Sequence, residues 1–360
     1  MPSLSRVSMP ENFYDITSSM LLTQPEPQYL YAQLFKMALG ASLDPESSLG
    51  ALAGREVSGT GANYSAADRD RLVIANQLAS SVFATAVNFS GMPGSTVRIN
   101  RPSFTDSTYT AASRLISSGS TISTTPITPS AGQVNLTLFN YGGPYSSSVQ
   151  PYGVEAFDAQ FGVHKAASII GTHLKRDFDK FLDSVWVTLF DLAATAVYPE
   201  GMSAVNDATA TGMFPFTFEE LGRVQRLMDV ANLPTLPDGF RIFVATPVQI
   251  EQLGLDGNYN SRAKDYPQYN SIFPQYVGSV KRFHIFQSNT LNTTANASSV
   301  AIQYGHAIAP GAALGGMGRA PRVRANTNDN YGETQLVIWL ADLAFALANN
   351  GFVYSVRSSA

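Results

Sequence analysis

The chain has 360 residues, of which 44% are hydrophobic and only 14% charged, with a formal net charge of −4. That length covers two or three domains, and so little charge, against a usual ~25%, fits a subunit whose faces are buried in an assembly or a secreted polar protein better than a solitary soluble one. With no Cys, disulfides, Cys-ligated metals and thiol nucleophiles are excluded; the acidic balance gives no whole-chain footprint for nucleic acid; and the best apolar run, 336–348, contains Asp342 and falls short of the ~20 residues a membrane span needs. Glu11 and Asp15 interrupt the start, so no secretory signal is read and synthesis in the cytoplasm is expected.

Residues 1–64 read as an arm rich in Pro, Gly and Ser, sparse in core material and expected to order on assembly, with a short helix over Tyr29–Leu39. A second helix is expected over Ala66–Ala86. Ser95–Ile99 and Gln133–Leu138 alternate apolar and polar residues, the period of a strand. Between them lies a polar stretch: from Ser95 to Ser130, 17 of 36 residues are Ser or Thr. Such a segment cannot offset its own ordering entropy and must lie across something else or stay disordered. One long amphipathic helix is then expected over Val154–Ala196, with Phe157, Phe161, Ile170, Leu174, Phe178, Phe181, Val185, Leu189 and Leu192 on one face. Its other face carries Asp158, Lys165, Lys175, Asp179, Asp183 and Asp191. Unbroken, it would reach roughly 60 Å.

Downstream, Asp207–Gly212 reads as a loop and Phe218–Ala231 as a helix. Phe240–Ala245 reads as a buried strand, and Thr246-Pro247-Val248-Gln249 as a capping-box helix start. Residues 254–276 read as loop, Gly278–Asn289 as one strand, Val300–Tyr304 as another, and Gly311–Gly318 as a Gly-rich loop. Val323–Ala325, Leu336–Trp339 and Phe352–Val356 close the chain as strands.

Catalytic and cofactor grammar is missing from the sequence. His164, His173, His284 and His306 show no metal-ligand spacing, and His173 reads as a helix-surface imidazole. There is no G-x-S-x-G elbow and no Walker loop, and Gly315–Gly318 lacks the third glycine of a dinucleotide loop. Glu219 and Glu220 are adjacent and so do not face each other; they read as first-turn charges at a helix N-terminus. Neither a cofactor nor a metal is expected, and with no convergent titratable set the chain is not expected to be an enzyme. Arg319, Arg322 and Arg324 form a small basic cluster that could meet phosphate, although Asp329 and Glu333 lie close in sequence.

The order of parts, arm, ribbon, spine helix, mixed lobe and C-terminal strands, resembles tailed-phage major capsid proteins. So do Val244-Ala-Thr-Pro-Val-Gln-Ile-Glu-Gln-Leu253 and Gly278-Ser-Val-Lys-Arg-Phe-His-Ile-Phe-Gln-Ser-Asn-Thr-Leu291. Tyr331-Gly-Glu333, Val337-Ile-Trp339 and Asn350-Gly-Phe-Val353 are similar to coat proteins of short-tailed phages. The resemblance implies an α+β chain of the Hong-Kong-phage capsid fold. Its parts would be an N-terminal arm and helix (1–91), an extended loop (92–149), a P-domain spine helix (150–215), an A-domain (216–318) and C-terminal strands mostly of the P-domain (319–360). It further implies a shell of hexamers and pentamers made in the host cytoplasm. Scaffolding, portal and cement proteins would be its partners, with double-stranded DNA in weak contact and no membrane. An encapsulin-type cargo shell and another virion protein are the alternatives, a fibre being disfavoured by the lack of repeats.

In that family the extended loop lies over a neighbour. Here the loop carries Arg98, Arg101, Arg114 and Asp106, a net of +2, whereas 155–196 carries six acids and four bases. Arg98, Arg101 and Arg114 are therefore expected to meet Glu155 and Asp158 of another copy. Arg319, Arg322 and Arg324 are candidates for a DNA-facing or interface role. No lysine lies between Ala38 and His164, so the loop has no amine nucleophile for a covalent cross-link.

Overall fold

The computed structural model describes residues 29–43, 78–87, 94–100, 133–143, 152–153, 163–193, 195–209, 211–262, 273, 275–319, 321–327 and 335–359. In chain order these form α1 (Leu30–Leu43), β1 (Phe83–Val87), β2 (Thr96–Asn100), β3 (Gln133–Thr137), β4 (Phe139–Gly143), β5 (Tyr152–Gly153), α2 (Val163–Asp191) and β6 (Thr195–Val197). There follow α3 (Phe218–Val230), β7 (Arg241–Ala245), α4 (Pro247–Leu255), α5 (Gly257–Arg262), β8 (Tyr276–Val280), β9 (Phe283–Gln287), β10 (Thr293–Ala295) and β11 (Ala301–Ile308). The last strands are β12 (Ala313–Met317), β13 (Arg322–Thr327), β14 (Gln335–Leu347) and β15 (Val353–Ser359).

Two sheets share the spine helix α2. The first is built on β14, whose 13 residues pair antiparallel with β12 and β13 and also with β4 and β5, while β1 adds parallel to β12. Alternation along β14 assigns its faces. Trp339, Ala341 and Leu343 enter the core under α1 and α2, whereas Ala344 packs with Leu136 and Leu138 of the ribbon base. The second sheet runs β6-β15-β11-β7-β9-β8, with β10 on β11. It is covered on both faces, which explains the unbroken apolar run of β7: Ile242 and Val244 face the core of α1 and α2, and Phe243 and Ala245 face α3. The capping box at Thr246 and Gln249 is present as expected.

Several expectations are corrected. The spine helix is described from Val163, with 154–162 outside the described residues. It ends at Asp191, and Ala196 belongs to β6 instead. Its 29 residues span about 43 Å at ~1.5 Å per residue. Residues 78–82 are helical, but Phe83–Val87 is extended, because strand pairing with β12 outweighs the helical spacing of its apolar residues. The expected single strand 278–289 is a hairpin, turned by Lys281 and Arg282 at φ 51° and 57°. The expected loops lose ground as well. Gly311–Gly318 contains β12, and 254–276 contains α5. Glycine there makes room: a Cβ on Gly315 would lie 2.2 Å from the Phe35 ring.

The sheets also cross the expected domain limits. β12 lies in the β14 sheet, while β6 and β15 lie in the other. Within the arm, the expected helix at Tyr29–Leu39 is present and buried all round, so this stretch of an arm expected to be sparse in core material is itself core. Two helical turns carrying Leu30, Tyr31, Leu34 and Phe35 suffice, because α2 and the β14 sheet supply the other walls.

Candidate functional site: the spine seam and the ribbon base

The spine helix buries Leu174, Phe178, Leu182, Trp186 and Phe190, one residue every four. Beside that stripe runs a polar row that the sequence placed on the solvent face. Asp179 and Asp183 are buried, at 0% and 1% exposure, because α1 covers them. Asp183 accepts the backbone N–H groups of Tyr31 (2.8 Å) and Ala32 (3.2 Å), and also the Thr290 hydroxyl. It thus satisfies orphan donors in the first turn of α1 from another helix. Asp179 pairs with Lys36 of α1, whose ammonium lies 5.0 Å from the Phe178 ring centre. Further along, Asp191 accepts from Asn292 and pairs with His306 Nε2 at 2.8 Å, and His306 Nδ1 meets the Tyr31 hydroxyl at 2.7 Å. Asp177 accepts the Trp339 indole N–H at 2.7 Å. His173 is exposed on the same helix, as expected.

Burial dominates the titration of this seam. It raises the Asp183 carboxyl to about 6 against the opposing hydrogen bonds from Thr290, Ala32 and Tyr31. It lowers the Lys36 ammonium to about 8 despite the favourable charge of Asp179. It also raises the Tyr31 hydroxyl well above its ordinary value, with Asp183 and then Asp191 adding to the effect. The sequence signal for this seam was the spacing itself: 179, 183 and 187 form the row next to 178, 182 and 186.

The ribbon is as expected at its base. β2 and β3 pair antiparallel, with Arg98 opposite Asn135 and the Thr96 and Thr137 hydroxyls 3.0 Å apart. Leu136 and Leu138 are fully buried, while Thr96, Val97 and Arg98 of β2 are exposed. The burial found at the base thus comes from the subunit's own β14 sheet rather than from a neighbour. A Cβ at Gly318 would approach Leu138 to 2.6 Å, so the glycine lets β3 lie flat.

Of the candidate contact residues, Arg98 is exposed on β2, and Arg101, Arg114, Glu155 and Asp158 lie outside the described residues. Arg319 pairs through Nε with the buried Asp342 at 2.7 Å, and Asn140 donates to the same carboxylate at 2.6 Å. Its charge is therefore partly engaged within the subunit. Arg322 and Arg324 sit on β13 opposite Leu340 and Ile338.

One arrangement has the atom order of a hydrolytic triad. Ser279 Oγ lies 2.5 Å from His284 Nδ1, and His284 Nε2 lies 2.7 Å from Asp238. Burial lowers the His284 pKa against the hydrogen bond and charge of Asp238, and Phe240 stacks on its ring at 4.5 Å. Ser279, however, is 2% exposed, and its oxygen also meets the Tyr276 hydroxyl at 2.6 Å. A nucleophile needs access to substrate. This relay instead ties the β8–β9 hairpin to the turn before β7. Among the described residues no group of three or more His, Cys, Asp or Glu could hold a metal ion, and no helix is long and apolar enough to cross a membrane.

No described protein family matches the chain, and no curated protein matches it in sequence. Solved structures do. The capsid of Ralstonia phage GP4 superposes with a TM-score of 0.54 at 12% identity, covering 78% of this chain and 87% of that one. The cyanophage Pam1 capsid asymmetric unit gives 0.50 at 14% identity, covering 85% and 96%. The chain has the phage capsid fold. The α+β capsid fold that the resemblance implied is thus the one found. In that fold the β14 sheet with α2 forms one lobe beneath the ribbon, and the β6–β8 sheet with α3 forms the other.

Proposed function

We propose that the chain is the major capsid protein of a tailed phage, self-assembling through hexamers and pentamers into an icosahedral shell around double-stranded DNA. The observation that supports this reading best is the phage capsid fold with a ribbon whose strand β3 packs on the β14 sheet through Leu136 and Leu138 while its partner strand is exposed at Thr96–Arg98. The α2 and β14-sheet lobe serves as the P-domain and the α3 lobe as the A-domain, with 1–91 as an arm whose helix α1 docks on the P-domain and 92–149 as extended loop. Scaffolding, portal and cement proteins complete the particle, which is made in the host cytoplasm. The ribbon and arm interlock the shell without covalent bonds. Electron microscopy of the purified chain is the test: closed shells are expected, and a chain that stays monomeric at every concentration and salt would refute the reading.

In such a shell Arg98, Arg101 and Arg114 of one copy meet Glu155 and Asp158 of another, and Arg319, Arg322 and Arg324 line an interface or the DNA side. Exposed pairs give only about 0–1 kcal/mol each, but a shell repeats them many times. Arg98→Glu is expected to lower shell yield and steepen its dependence on salt while leaving the folded subunit unchanged. Yield and salt response equal to wild type would remove Arg98 from the contact.

A further inference from the structure

A cavity of about 600 Å³ opens beside the first turn of α3, lined by Glu200, Glu219, Glu220, Arg223, Arg226 and Lys281 among others. The chain has 23 basic and 27 acidic residues in all, so six around one groove is a concentration that solubility alone does not ask for. Two of these charges, Lys281 and Arg226, are left unanswered among the described residues of the subunit, whereas Glu220 is engaged. Glu220 accepts the Glu200 backbone N–H with Oε1 at 2.7 Å, but its Oε2 is buried without a hydrogen bond, the nearest cation being Arg223 at 3.7 Å. Among the described residues Lys281 and Arg226 have no carboxylate within ion-pair distance.

The turn that delivers Lys281 is itself costly. A two-residue hairpin with both central residues at positive φ ordinarily takes Asn-Gly. Here it takes Lys281 and Arg282, at about 1–2 kcal/mol per non-glycine residue. Lys281 then lies along α3 with Nζ 4.5 Å from the Phe218 ring centre. Gly222 leaves it room, since a Cβ there would stand 3.1 Å from Nζ. A local rule broken in a turn that sets Lys281 in a charged groove points to a contact outside the subunit.

We propose that this groove seats a mixed-charge segment of a neighbouring copy of the chain, Lys281 and Arg226 taking its carboxylates and the exposed Glu219 its cation. The lining is balanced, three acids to three bases, so neither a lone anion nor nucleic acid gains from it, whereas a protein surface carrying both signs does. A contact in which the groove of one copy receives a different surface of the next is heterologous and gives rings where its rotation closes. The inference rests on the shell reading above and adds which surface the copies share.

The test compares the wild-type chain with Lys281→Gly and Arg226→Ala. Glycine suits the left-handed turn, so Lys281→Gly subunits should melt at or above the wild-type temperature while losing the charge. If they melt lower, Arg226→Ala, at an exposed helix position, gives the same reading. The concentration needed for assembly is expected to rise about tenfold at low salt. That difference should shrink at ~1 M salt, where screening is nearly complete. Folded variants that assemble at the wild-type concentration overturn the groove alone. A wild-type chain that never assembles takes the shell reading down with it.

Discussion

Gly315→Ala is expected to destabilise the unassembled subunit by about 3 kcal/mol or more, an unusually large effect for one added methyl group. The Cβ would be built 2.2 Å from the Phe35 ring, inside any allowed contact. Phe35 has no room to retreat. It is fully buried, its ring centre lying 5.3 Å from that of Trp186, 5.6 Å from Phe345 and 5.8 Å from Phe83. Nor can β12 move away, since it is held by β1 on one side and β14 on the other. Phe35→Ala alone should cost about 3–5 kcal/mol through the cavity it leaves. Combined, the two changes should cost less than their sum, because removing the ring opens the space the methyl group needs. Denaturant unfolding of the two single variants and the double variant measures this, and strict additivity would mean that α1 does not sit on β12 as described.

The second large effect concerns Asp183. Its carboxyl has a pKa of about 6 in the fold against an ordinary 3.8. The folded chain therefore keeps a proton that the unfolded chain releases between those two values. This contribution to stability is full below about pH 4, falls as pH rises through the window, and is flat above about pH 6. The loss is about 3 kcal/mol, at 1.36 kcal/mol per unit. Asp183→Asn still offers an acceptor to the Tyr31 and Ala32 N–H groups but cannot titrate, so its stability relative to wild type should rise by that amount between pH 4 and pH 7. Asp183→Ala instead leaves two buried donors unsatisfied and should cost several kcal/mol at every pH, at about 1–3 for each. Unfolding curves for wild type and Asp183→Asn that run parallel across that range would show that the carboxyl is not buried under α1.

What was legible in the sequence follows from how local the governing physics is. The Thr246–Gln249 capping box, the β2 and β3 alternation and the α3 helix depend on neighbours within a few residues, and all are present. Polarity alone puts the spine acids on the solvent side, which is the wrong side here. Asp179 and Asp183 face α1, and the partner residues Tyr31, Ala32 and Lys36 lie about 150 positions away in sequence. β12 was missed because glycine usually signals a turn, whereas here its missing side chain is what Phe35 requires. The hairpin at Lys281 and Arg282 was hidden by turn residues that break the rule for such turns. Arg98 lies on the exposed strand β2, while Arg319 is half spent on Asp342, whose burial only the sheet reveals.

The position of β15 bears on how the subunit comes into being. It fills the gap between β6, which it meets in parallel, and β11, which it meets antiparallel, and α4 holds it there through Gln249 to Ser358 (3.1 Å) and Gln252 to the Ser359 carbonyl (2.9 Å). Every other strand of that sheet precedes it in the chain. Until 353–359 arrives, β11 presents an open edge of backbone donors and acceptors, and closing the gap requires one of the longest loop closures in the fold. During that interval the open edge can pair with another newly made chain. Crowding of newly made copies therefore works against their maturation, and a helper that shields the β11 edge would raise the yield of native protein without touching its final stability.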